Sequence, residues 1–319
     1  MASSSRTFPA VSVIVPSYNA AATIERCLGA LEAQTAASEG EVIVVDSSSD
    51  GTAEIVARRF PWVRLIACPT RRFPGDARNL GIGRARADLL AFTDADCIAE
   101  RHWLETIIMA HRVRRDPLIG GAIENGNPES RVGWAAYLLE LSQWMPSRRG
   151  GRMAEIPTGC LSLKRWAYER YGPFVEGTYS SDTAFQWRLV RDGHEPLFDP
   201  AIRVAHVNID RAGELARRKL RHGRDFARLR ARAAEFSVAR RVAFTALAPA
   251  LPPLLWARIA RRVARDRELR GRLARSTPAL LLGLCAWSAG EALGYLSFTT
   301  PGRAGSRRRS RAGRRAARR

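Results

Sequence analysis

Four short apolar runs, separated by amphipathic helical stretches, constrain the fold of this chain more than any other feature. The runs are Val11–Val15, Glu41–Val45, Val63–Ala67 and Leu89–Thr93. Helical patterns lie between them, through Ile24 to Leu31, from Thr52 onward and across Asp76–Ala87. Strands that are apolar throughout and alternate with helices are typical of a parallel sheet covered on both faces. The sequence therefore predicts an α/β fold.

Three of these strands end on small, polar or turn-forming residues. The ends are Pro16 to Asn19, Asp46 to Gly51, and Thr93 to Asp96. In open α/β sheets, ligands bind outside the carboxyl ends of the strands. We therefore expect one binding site where these three ends converge on a single edge of the sheet.

The last of these ends carries two carboxylates, Asp94 and Asp96, two residues apart. Residues i and i+2 share one face of an extended segment, and two hard oxygen donors suit Mg²⁺ or Mn²⁺ shared with substrate phosphates. A cap on a helix starting at Arg101 is the alternative. Cys97 is excluded as a third ligand, because a thiolate matches a hard ion poorly and its side chain is expected on the opposite face.

Several function classes are excluded because their motifs are absent. A dinucleotide oxidoreductase needs Gly-x-Gly-x-x-Gly directly after a strand, but the stretch Gly81–Arg86 lacks the third glycine and lies late in a helical pattern. No Gly-x-x-x-x-Gly-Lys-Ser/Thr occurs, which excludes a P-loop hydrolase. The five cysteines are scattered and form no Cys-x-x-Cys pair, which argues against a structural zinc site or a disulfide framework and fits a reducing compartment. The N-terminus has no apolar segment, so no secretory signal is predicted.

Positive charge is concentrated in the last third of the chain. Residues 1–210 carry 24 Lys and Arg against 25 Asp and Glu, whereas residues 211–319 carry 28 against 6, for a net charge of +21. We predict a nearly neutral globular domain over residues 1–210, a helical region over 211–302, and a disordered Arg-rich tail over 303–319. The basic block indicates a polyanionic partner, either nucleic acid or an anionic membrane surface.

Six segments, in order and at matching spacing, resemble family 2 glycosyltransferases. They are VSVIVPSYNAAATIERCLGAL (11–31), EVIVVDSSSDGTAEI (41–55), GDARNLGIGRARADLLAFTDAD (75–96), PTGCLSLKRWAYERYGPFVE (157–176), SDTAFQWRLVRDGH (181–194) and VAH (204–206). The resemblance covers residues 11 to about 210. It implies the GT-A fold: a Rossmann-like, mostly parallel sheet with helices on both faces, here followed by a basic and apolar α-helical C-terminal region.

The resemblance also implies roles for the residues that bind the nucleotide. Pro16, Ser17 and Tyr18 would wall the nucleobase pocket. Asp46 would accept a hydrogen bond from the base, and Asp50 would support that loop. For these two residues, shaping a turn is the alternative.

The same resemblance assigns the residues nearest the reaction. Arg78 would face the nucleotide or its phosphates. Asp94 would contact the ribose or a metal-bound water, and Asp96 would bind the metal. Asp182 corresponds to the catalytic base, with a helix cap as its alternative, and His206 to a further metal or diphosphate contact, with a structural role as its alternative. The family commonly has Glu-Asp where this chain has Ser181 and Asp182, so the base is retained without its acidic neighbour.

Two apolar stretches, Val242–Ala257 and Thr277–Thr300, interrupt the basic region. The second has 24 residues with one charge and is long enough to cross a hydrocarbon core of about 30 Å. The first has 16 residues and three prolines. Any crossing places an arginine-rich segment on the far side, against the positive-inside tendency. We therefore expect monotopic or re-entrant attachment at the cytoplasmic face of the membrane, with core-packing helices of a soluble protein as the alternative.

These observations predict an inverting, metal-dependent glycosyltransferase. It would move a sugar from a nucleotide-diphospho-sugar to a hydroxyl of a lipid-linked or cell-envelope saccharide, with Mg²⁺ or Mn²⁺ at Asp94 and Asp96. A polyprenyl-phosphate glycosyltransferase, in which an ionised phosphate attacks, is the alternative enzyme. A nucleic-acid-binding protein is the alternative outside enzymes, but the sequence has no base-reading motif and its basic clusters flank apolar segments. The Gln-x-x-Arg-Trp motif of the family's processive members is also absent, which argues against a processive synthase.

Overall fold

The structure is a computed structural model that describes residues 9–297. Its first half alternates strands and helices as predicted: β1 Val11–Ser17, α1 Ile24–Glu32, β2 Gly40–Asp46, α2 Thr52–Arg59, β3 Arg64–Ala67, α3 Pro74–Ile82 and β4 Leu89–Phe92. These four strands are parallel, with β1 between β2 and β4 and β3 outside β2. β1 and β2 are buried over most of their length because their side chains are covered on both faces.

The second half of the sheet is mixed. Its elements are β5 Cys97–Ala99, α4 Trp103–Val113, β6 Leu118–Asn125, α5 Arg131–Glu140, β7 Gly151–Arg152, β8 Leu161–Lys164, α6 Arg165–Tyr171, α7 Ser181–Arg191 and β9 Leu197–His206. The strand order is β3-β2-β1-β4-β8-β6-β9-β5, with β7 paired to β9. β8 is antiparallel to both of its neighbours, and β9 is parallel to β6 and antiparallel to β5. The predicted α/β class is confirmed, but parallel pairing prevails only in the first four strands.

One strand differs from what the sequence pattern predicts. The pattern favours two short edge strands over Glu195–Asp199 and Arg203–His206, but Leu197–His206 form the single strand β9, which lies between β6 and β5. The register with β6 shifts after Asp199, because Pro200 has no N–H to donate to a neighbouring strand. The residues of this irregularity press on β6, where a β-carbon at Gly121 would lie 2.1 Å from the carbonyl oxygen of Ile202.

Four helices follow the sheet: α8 Ala212–Ala233, α9 Val238–Leu247, α10 Leu251–Val263 and α11 Arg267–Leu296. The apolar stretch 242–257 is therefore split between α9 and α10, and the stretch from residue 277 forms the second half of α11. α8 and α11 pack backbone to backbone, since a β-carbon at Gly223 would lie 2.3 Å from the carbonyl oxygen of Trp287. The predicted tail, 303–319, lies outside the described residues.

The helical region shares its core with the sheet domain. Leu215 of α8 and Leu280 and Leu284 of α11 belong to the same cluster of buried apolar side chains as β1 and β4. Lys219 of α8 also donates to Glu140 of α5 in an ion pair that is buried on the lysine side. Burial opposes ionisation of Glu140, but Lys219 outweighs it and holds the pKa of that carboxyl below its usual range. These contacts attach α8 and α11 firmly to the sheet domain.

Two helical stretches among residues 9–297 are long and apolar enough to cross a membrane. They are Val238–Val263 and Arg267–Leu296, and in the apolar 18-residue window of each, 17% and 44% of the residues are buried. Length and composition alone cannot separate a spanning helix from a core helix. The second stretch packs on α8 and α5, whereas the first keeps most of its surface open.

Candidate active site

A cleft of about 670 Å³ lies at the carboxyl ends of β1 and β4, at the sheet edge where the sequence predicts a site. Seven of the predicted site residues line it: Pro16, Ser17, Tyr18, Arg78, Asp94, Asp96 and His206. The remaining three, Asp46, Asp50 and Asp182, do not belong to its lining. The structure thus brings together side chains from four separate elements, β1, α3, the end of β4 and the end of β9.

An ion pair between Arg78 and Asp94 forms one wall of this cleft. The Nη2 of Arg78 donates to Oδ1 of Asp94 at 2.6 Å, and the side chains are 4% and 34% exposed. The Nε of Arg78 is buried and has no hydrogen-bond partner among residues 9–297. A buried donor without an acceptor is costly, so this guanidinium retains capacity for a ligand.

Asp96 and His206 face each other across the cleft, with Nε2 of His206 3.5 Å from Oδ1 of Asp96. Nδ1 of the same ring lies 3.0 Å from Oδ1 of Asn208. The Asn208 amide is oriented by two donations from its Nδ2, to Oδ1 of Asn125 and to the carbonyl oxygen of His206. Because an acceptor oxygen therefore faces Nδ1, that nitrogen carries a hydrogen, and in the neutral ring the lone pair of Nε2 points at Asp96.

This pair of groups fits a cation. In the neutral ring, the carboxylate oxygen of Asp96 and the lone pair of Nε2, 3.5 Å apart, are two acceptors that a cation can bridge. Both are ordinary ligands of divalent metals, and the hydrogen bond from Nδ1 to Asn208 orients the ring as in a ligating histidine. Asp94 offers one further oxygen, Oδ2, since its Oδ1 accepts from Arg78.

Cys97 lies nearer to this pair than expected. Its sulfur is 4.0 Å from Oδ1 of Asp96, and one ligand atom from each of Asp96, Cys97 and His206 lies within 4.8 Å of the others. The expectation that Cys97 points to the opposite face was wrong, because Ala95 and Asp96 form a turn rather than an extended segment. Burial and the neighbouring carboxylates raise the pKa of the Cys97 thiol well above its usual range. Its sulfur remains a poor match for a hard ion such as Mg²⁺ or Mn²⁺.

An aromatic and basic wall stands at the other end of the cleft. The Tyr18 side chain is exposed, and the Arg71 guanidinium lies 4.4 Å from the centre of its ring. Arg71 also donates a hydrogen bond to the hydroxyl of Tyr179. The backbone N–H of Arg72 donates to Ser47 Oγ, which ties this segment to the end of β2. Planar rings and a guanidinium in this arrangement suit a nucleobase and its phosphates.

Asp46 and Asp50 shape the loop behind this wall. Asp46 is 2% exposed, and its two carboxylate oxygens accept from the hydroxyl and the N–H of Ser48. Asp50 accepts from the hydroxyl and N–H of Thr52 at the start of α2, and from the N–H of Ala21. Burial opposes ionisation of Asp50, but these donors outweigh it and lower its pKa. In this structure both carboxylates are engaged by the protein, so a contact between Asp46 and a base requires Ser48 to move.

Asp182 lies in the first turn of α7. The hydroxyl of Thr158 donates to Oδ2 of Asp182 at 3.3 Å, and the N–H of Thr183 donates to Oδ1. Gly159, which follows Thr158, is packed so closely that a β-carbon there would lie 3.1 Å from Oδ2 of Asp94. Two consecutive residues therefore connect the predicted base with the Asp94 carboxylate.

Glu155 is a second carboxylate beside Asp182 that sequence reasoning missed. It is half-buried, and burial together with the charge of Asp182 raises its pKa, although a hydrogen bond to Thr183 opposes the shift. Two carboxylates with unlike environments are the arrangement in which one holds a proton while the other accepts one. No local pattern signals Glu155, because it lies 27 residues before Asp182 in an irregular segment.

The basic helix α8 also reaches the cleft, which the sequence did not reveal. Arg218, Arg221 and His222 line it. Burial lowers the pKa of Arg218, but the carboxylates of Glu140, Asp96 and Asp94 outweigh that effect and the net shift is upward. Sequence reasoning also missed Arg71 and Arg72, although they follow the end of β3 at the same sheet edge, which was a usable signal.

Comparison with known sequences identifies the relatives of this chain. The sequence model of "Glycosyl transferase family 2" matches residues 12–171. The chain is 31% identical over 225 residues to glycosyltransferase AglE of Haloferax volcanii, an alignment covering 68% of this chain and 73% of AglE. It is 27% identical over 223 residues to the pre-mycofactocin glycosyltransferase of Mycobacterium tuberculosis, covering 67% of this chain and 46% of that protein.

Comparison with solved structures supports the fold. The mannosyltransferase PcManGT from Pyrobaculum calidifontis, solved in complex with GDP-Man and Mn²⁺, superposes with a TM-score of 0.57 at 20% identity, covering 90% of this chain and 88% of that one. Staphylococcus aureus TarS superposes with a TM-score of 0.51 at 16% identity, covering 88% of this chain and 54% of TarS. At these identities the likeness concerns the fold alone, and it confirms the expected GT-A architecture.

Proposed function

Because the chain belongs to glycosyl transferase family 2, we propose that it transfers a sugar, with inversion, from a nucleotide-diphospho-sugar to a hydroxyl of an acceptor. One observation carries the proposal: a single cleft contains the Arg78–Asp94 pair and the Asp96–His206 pair. Tyr18 and basic residues also line this cleft. Such a cleft offers an aromatic surface for a base, cations for phosphates and a carboxylate–imidazole pair for a metal. This combination supports a nucleotide-diphospho-sugar as the donor.

In this proposal the nucleotide lies along the wall formed by Pro16, Ser17 and Tyr18. Arg71 lies over the Tyr18 ring and is well placed to stack on a base or pair with a phosphate. Arg78 and Arg218 direct positive charge at the diphosphate. Asp50 stabilises the loop next to the base. Asp46 contacts the base once the hydrogen bonds from Ser48 to its carboxylate are broken.

The transfer itself is a single displacement. The acceptor oxygen attacks the anomeric carbon from the face opposite the diphosphate, so that a new carbon–oxygen bond forms while the bond to the diphosphate oxygen breaks. Asp182 takes the proton of the acceptor hydroxyl, because such a hydroxyl is too weak an acid to ionise at neutral pH. The nucleoside diphosphate leaves with the bonding electron pair, and Arg78 and Arg218 stabilise its added charge.

Asp96 and His206, with Asp94 beside them, would hold Mg²⁺ or Mn²⁺. When bound, a divalent ion supplies positive charge against the leaving diphosphate. Asn208 keeps the lone pair of His206 Nε2 directed at the metal position. PcManGT was solved with Mn²⁺, which makes Mn²⁺ the first ion to test.

We also propose that the enzyme works at the cytoplasmic face of a membrane, on a lipid-linked or cell-envelope saccharide. The support is the exposed apolar surface of α9 and α10 beside an arginine-rich chain segment. Apolar side chains flanked by arginines suit the boundary of an anionic bilayer. In this arrangement residues 1–210 form the catalytic domain and 211–302 the membrane-associated helical region.

A donor screen tests the proposal. UDP-, GDP- and dTDP-sugars are incubated with the full chain and Mn²⁺ or Mg²⁺, and released nucleoside diphosphate is measured, with Asp96→Ala as the matched variant. We expect metal-dependent hydrolysis of one donor class, lost on chelation and in Asp96→Ala. Hydrolysis that Asp96→Ala leaves unchanged would overturn the metal assignment, and no turnover of any donor would overturn the donor assignment.

A further inference from the structure

A second cavity, of about 780 Å³, lies behind the active-site cleft, between α7 and the C-terminal helices. Its lining is dominated by apolar and aromatic side chains from α8, α9, α10 and α11 and from the segment after α5. They include Trp144, Phe226, Phe244, Leu255, Leu284 and Trp287. A cavity of this volume and character is of the kind that encloses a small organic ligand.

One end of the cavity reaches the predicted base. Ser180 and Thr183, which lie on either side of Asp182 along the chain, both line it, as does Glu155. The N–H of Thr183 donates to the Asp182 carboxylate. This end of the cavity therefore adjoins the first turn of α7, which carries Asp182, although Asp182 itself is not part of the lining.

The other end opens on the exposed face of α9 and α10. Leu247 and Leu254 line the cavity and are nevertheless 63% and 45% exposed. They belong to the stretch Val238–Val263, in whose apolar 18-residue window only 17% of the residues are buried. The cavity therefore runs from an open apolar surface of the molecule to the neighbourhood of the reaction.

His222 marks the junction between the two cavities, because it lines both of them. Its ring packs against that of Tyr179 with 4.5 Å between centres. Its Nε2 is buried and has no hydrogen-bond partner among the residues the structure describes. Burial and the charges of Arg218 and Lys219 lower its pKa, so the ring is neutral and offers a hydrogen bond to a ligand.

Most charged side chains of the lining are engaged by the protein. Lys219 pairs with Glu140, and Glu291 accepts from the ring N–H of Trp287. In the same way, Arg262 donates to Ser142 Oγ, and Arg230 donates to the Tyr295 hydroxyl. The surface left free for a ligand is therefore mainly apolar, which favours a hydrocarbon chain over a free sugar.

We infer that this cavity is the acceptor site and that it binds the hydrocarbon chain of an amphipathic acceptor. The chain enters between Leu247 and Leu254 and lies among the aromatic side chains. The polar end of the acceptor reaches His222 and Asp182. This inference rests on the proposed glycosyl transfer and adds to it the site that holds the hydrocarbon chain of the acceptor and the residues that select it.

Calorimetric titration of the full chain with alkyl β-maltosides, each below its micellar concentration, tests the inference. Maltose serves as the head group without a chain. We expect no measurable binding of maltose, and affinity for the alkyl maltosides that rises by up to about fourfold for each added methylene, the increment for burying one such group. Affinity that does not depend on chain length would overturn the inference.

Two cavity-filling variants, Leu255→Trp and Leu251→Trp, locate the binding, and thermal unfolding shows which of them is folded. Each is expected to weaken binding of dodecyl maltoside at least tenfold, because an indole occupies the space of the chain. Leu282→Trp is the matched control, since Leu282 is 44% exposed on α11 and is not part of the lining. Equal binding by wild type and the folded cavity variants, or equal weakening by the control, would overturn the inference.

Donor hydrolysis in the same preparations separates the two proposals. If the wild type hydrolyses a nucleotide sugar but the folded cavity-filling variants bind alkyl maltosides as well as the wild type does, the acceptor inference fails and the proposed function stands. If the wild type hydrolyses none of the donors, the proposed function fails, whatever the chain binding shows.

Discussion

Arg78 of α3 donates a 2.6 Å hydrogen bond to Asp94 at the end of β4, and of the two only the arginine is fully withdrawn from solvent. Asp94→Ala therefore leaves a buried cation without its carboxylate. We expect the free energy of unfolding to fall by about 3 kcal/mol, at the low end for broken buried pairs because Asp94 is partly exposed. Urea denaturation measures the loss.

The double variant Arg78→Met/Asp94→Ala is the control for this pair. It removes the stranded charge, so it should regain part of the stability lost in Asp94→Ala. A double variant less stable than Asp94→Ala would show that the loss arises from packing around Asp94 and not from the unpaired arginine.

Asn208 fixes the tautomer of His206 by accepting from its Nδ1. Asn208→Leu removes that acceptor, and we expect Mn²⁺ affinity to fall roughly 10–100-fold, as when other groups that orient a metal ligand are removed. The electron paramagnetic resonance signal of free Mn²⁺ measures binding without any need for turnover. Asn208→Asp keeps an acceptor oxygen and should retain most of the affinity; equal loss in both variants would contradict the tautomer argument.

Asp182→Asn separates the two candidate acceptor chemistries. With a hydroxyl acceptor, loss of the base is expected to slow transfer by roughly 10²–10⁴-fold and to leave donor affinity unchanged. Asp192→Asn, at the other end of α7, is the control and should transfer normally. A small effect of Asp182→Asn would instead favour a polyprenyl-phosphate acceptor, because a phosphate is already ionised and needs no base.

Glu155 gives the stability a dependence on pH whose sign can be stated. Burial and Asp182 raise its pKa above the ordinary value of 4.5, so the folded state binds the proton more tightly than the unfolded chain does. The free energy of unfolding therefore decreases as pH rises from 4.5 through the raised pKa. Glu155→Gln removes this effect, and its stability relative to wild type should increase between pH 4.5 and pH 7.

Urea midpoints at the two pH values measure this change, with Glu169→Gln as the matched control. Glu169 is exposed on α6, so its replacement should shift both midpoints equally. A difference between Glu155→Gln and wild type that is the same at both pH values would contradict the raised pKa.

Half of the sheet could be predicted because its signal is local. β1, β2 and β4 are largely apolar on both faces, and β3 is a short run between two helices, so the alternation of strands with helices predicts their positions and their parallel pairing. The second half could not be predicted in this way. Its strands β7 and β8 are two and four residues long, and β9 bends at Pro200. Their pairings depend on contacts distant in sequence.

The residues of the candidate site likewise fall into those that the sequence predicts and those that it does not. Tyr18, Asp94 and Asp96 follow strands directly, so the rule that ligands bind at strand ends finds them. Arg218 and His222 reach the cleft only because α8 packs against α5 and α11, and that docking leaves no local pattern. The sequence therefore indicates a polyanionic partner for the basic block that includes the arginines of α8, although two of these arginines line the candidate active-site cleft.

The exposed apolar side chains of α9 and α10 are expected to bind membranes. Replacing Leu247 and Leu254 with glutamate puts charge on this face, and we expect binding of the full chain to anionic vesicles to fall at least tenfold. Flotation with vesicles measures the bound fraction. Val113→Glu is the control, because Val113 is 75% exposed on α4 of the sheet domain. Unchanged flotation of the double variant would contradict this face as the point of attachment and leave the arginines as the only means of binding.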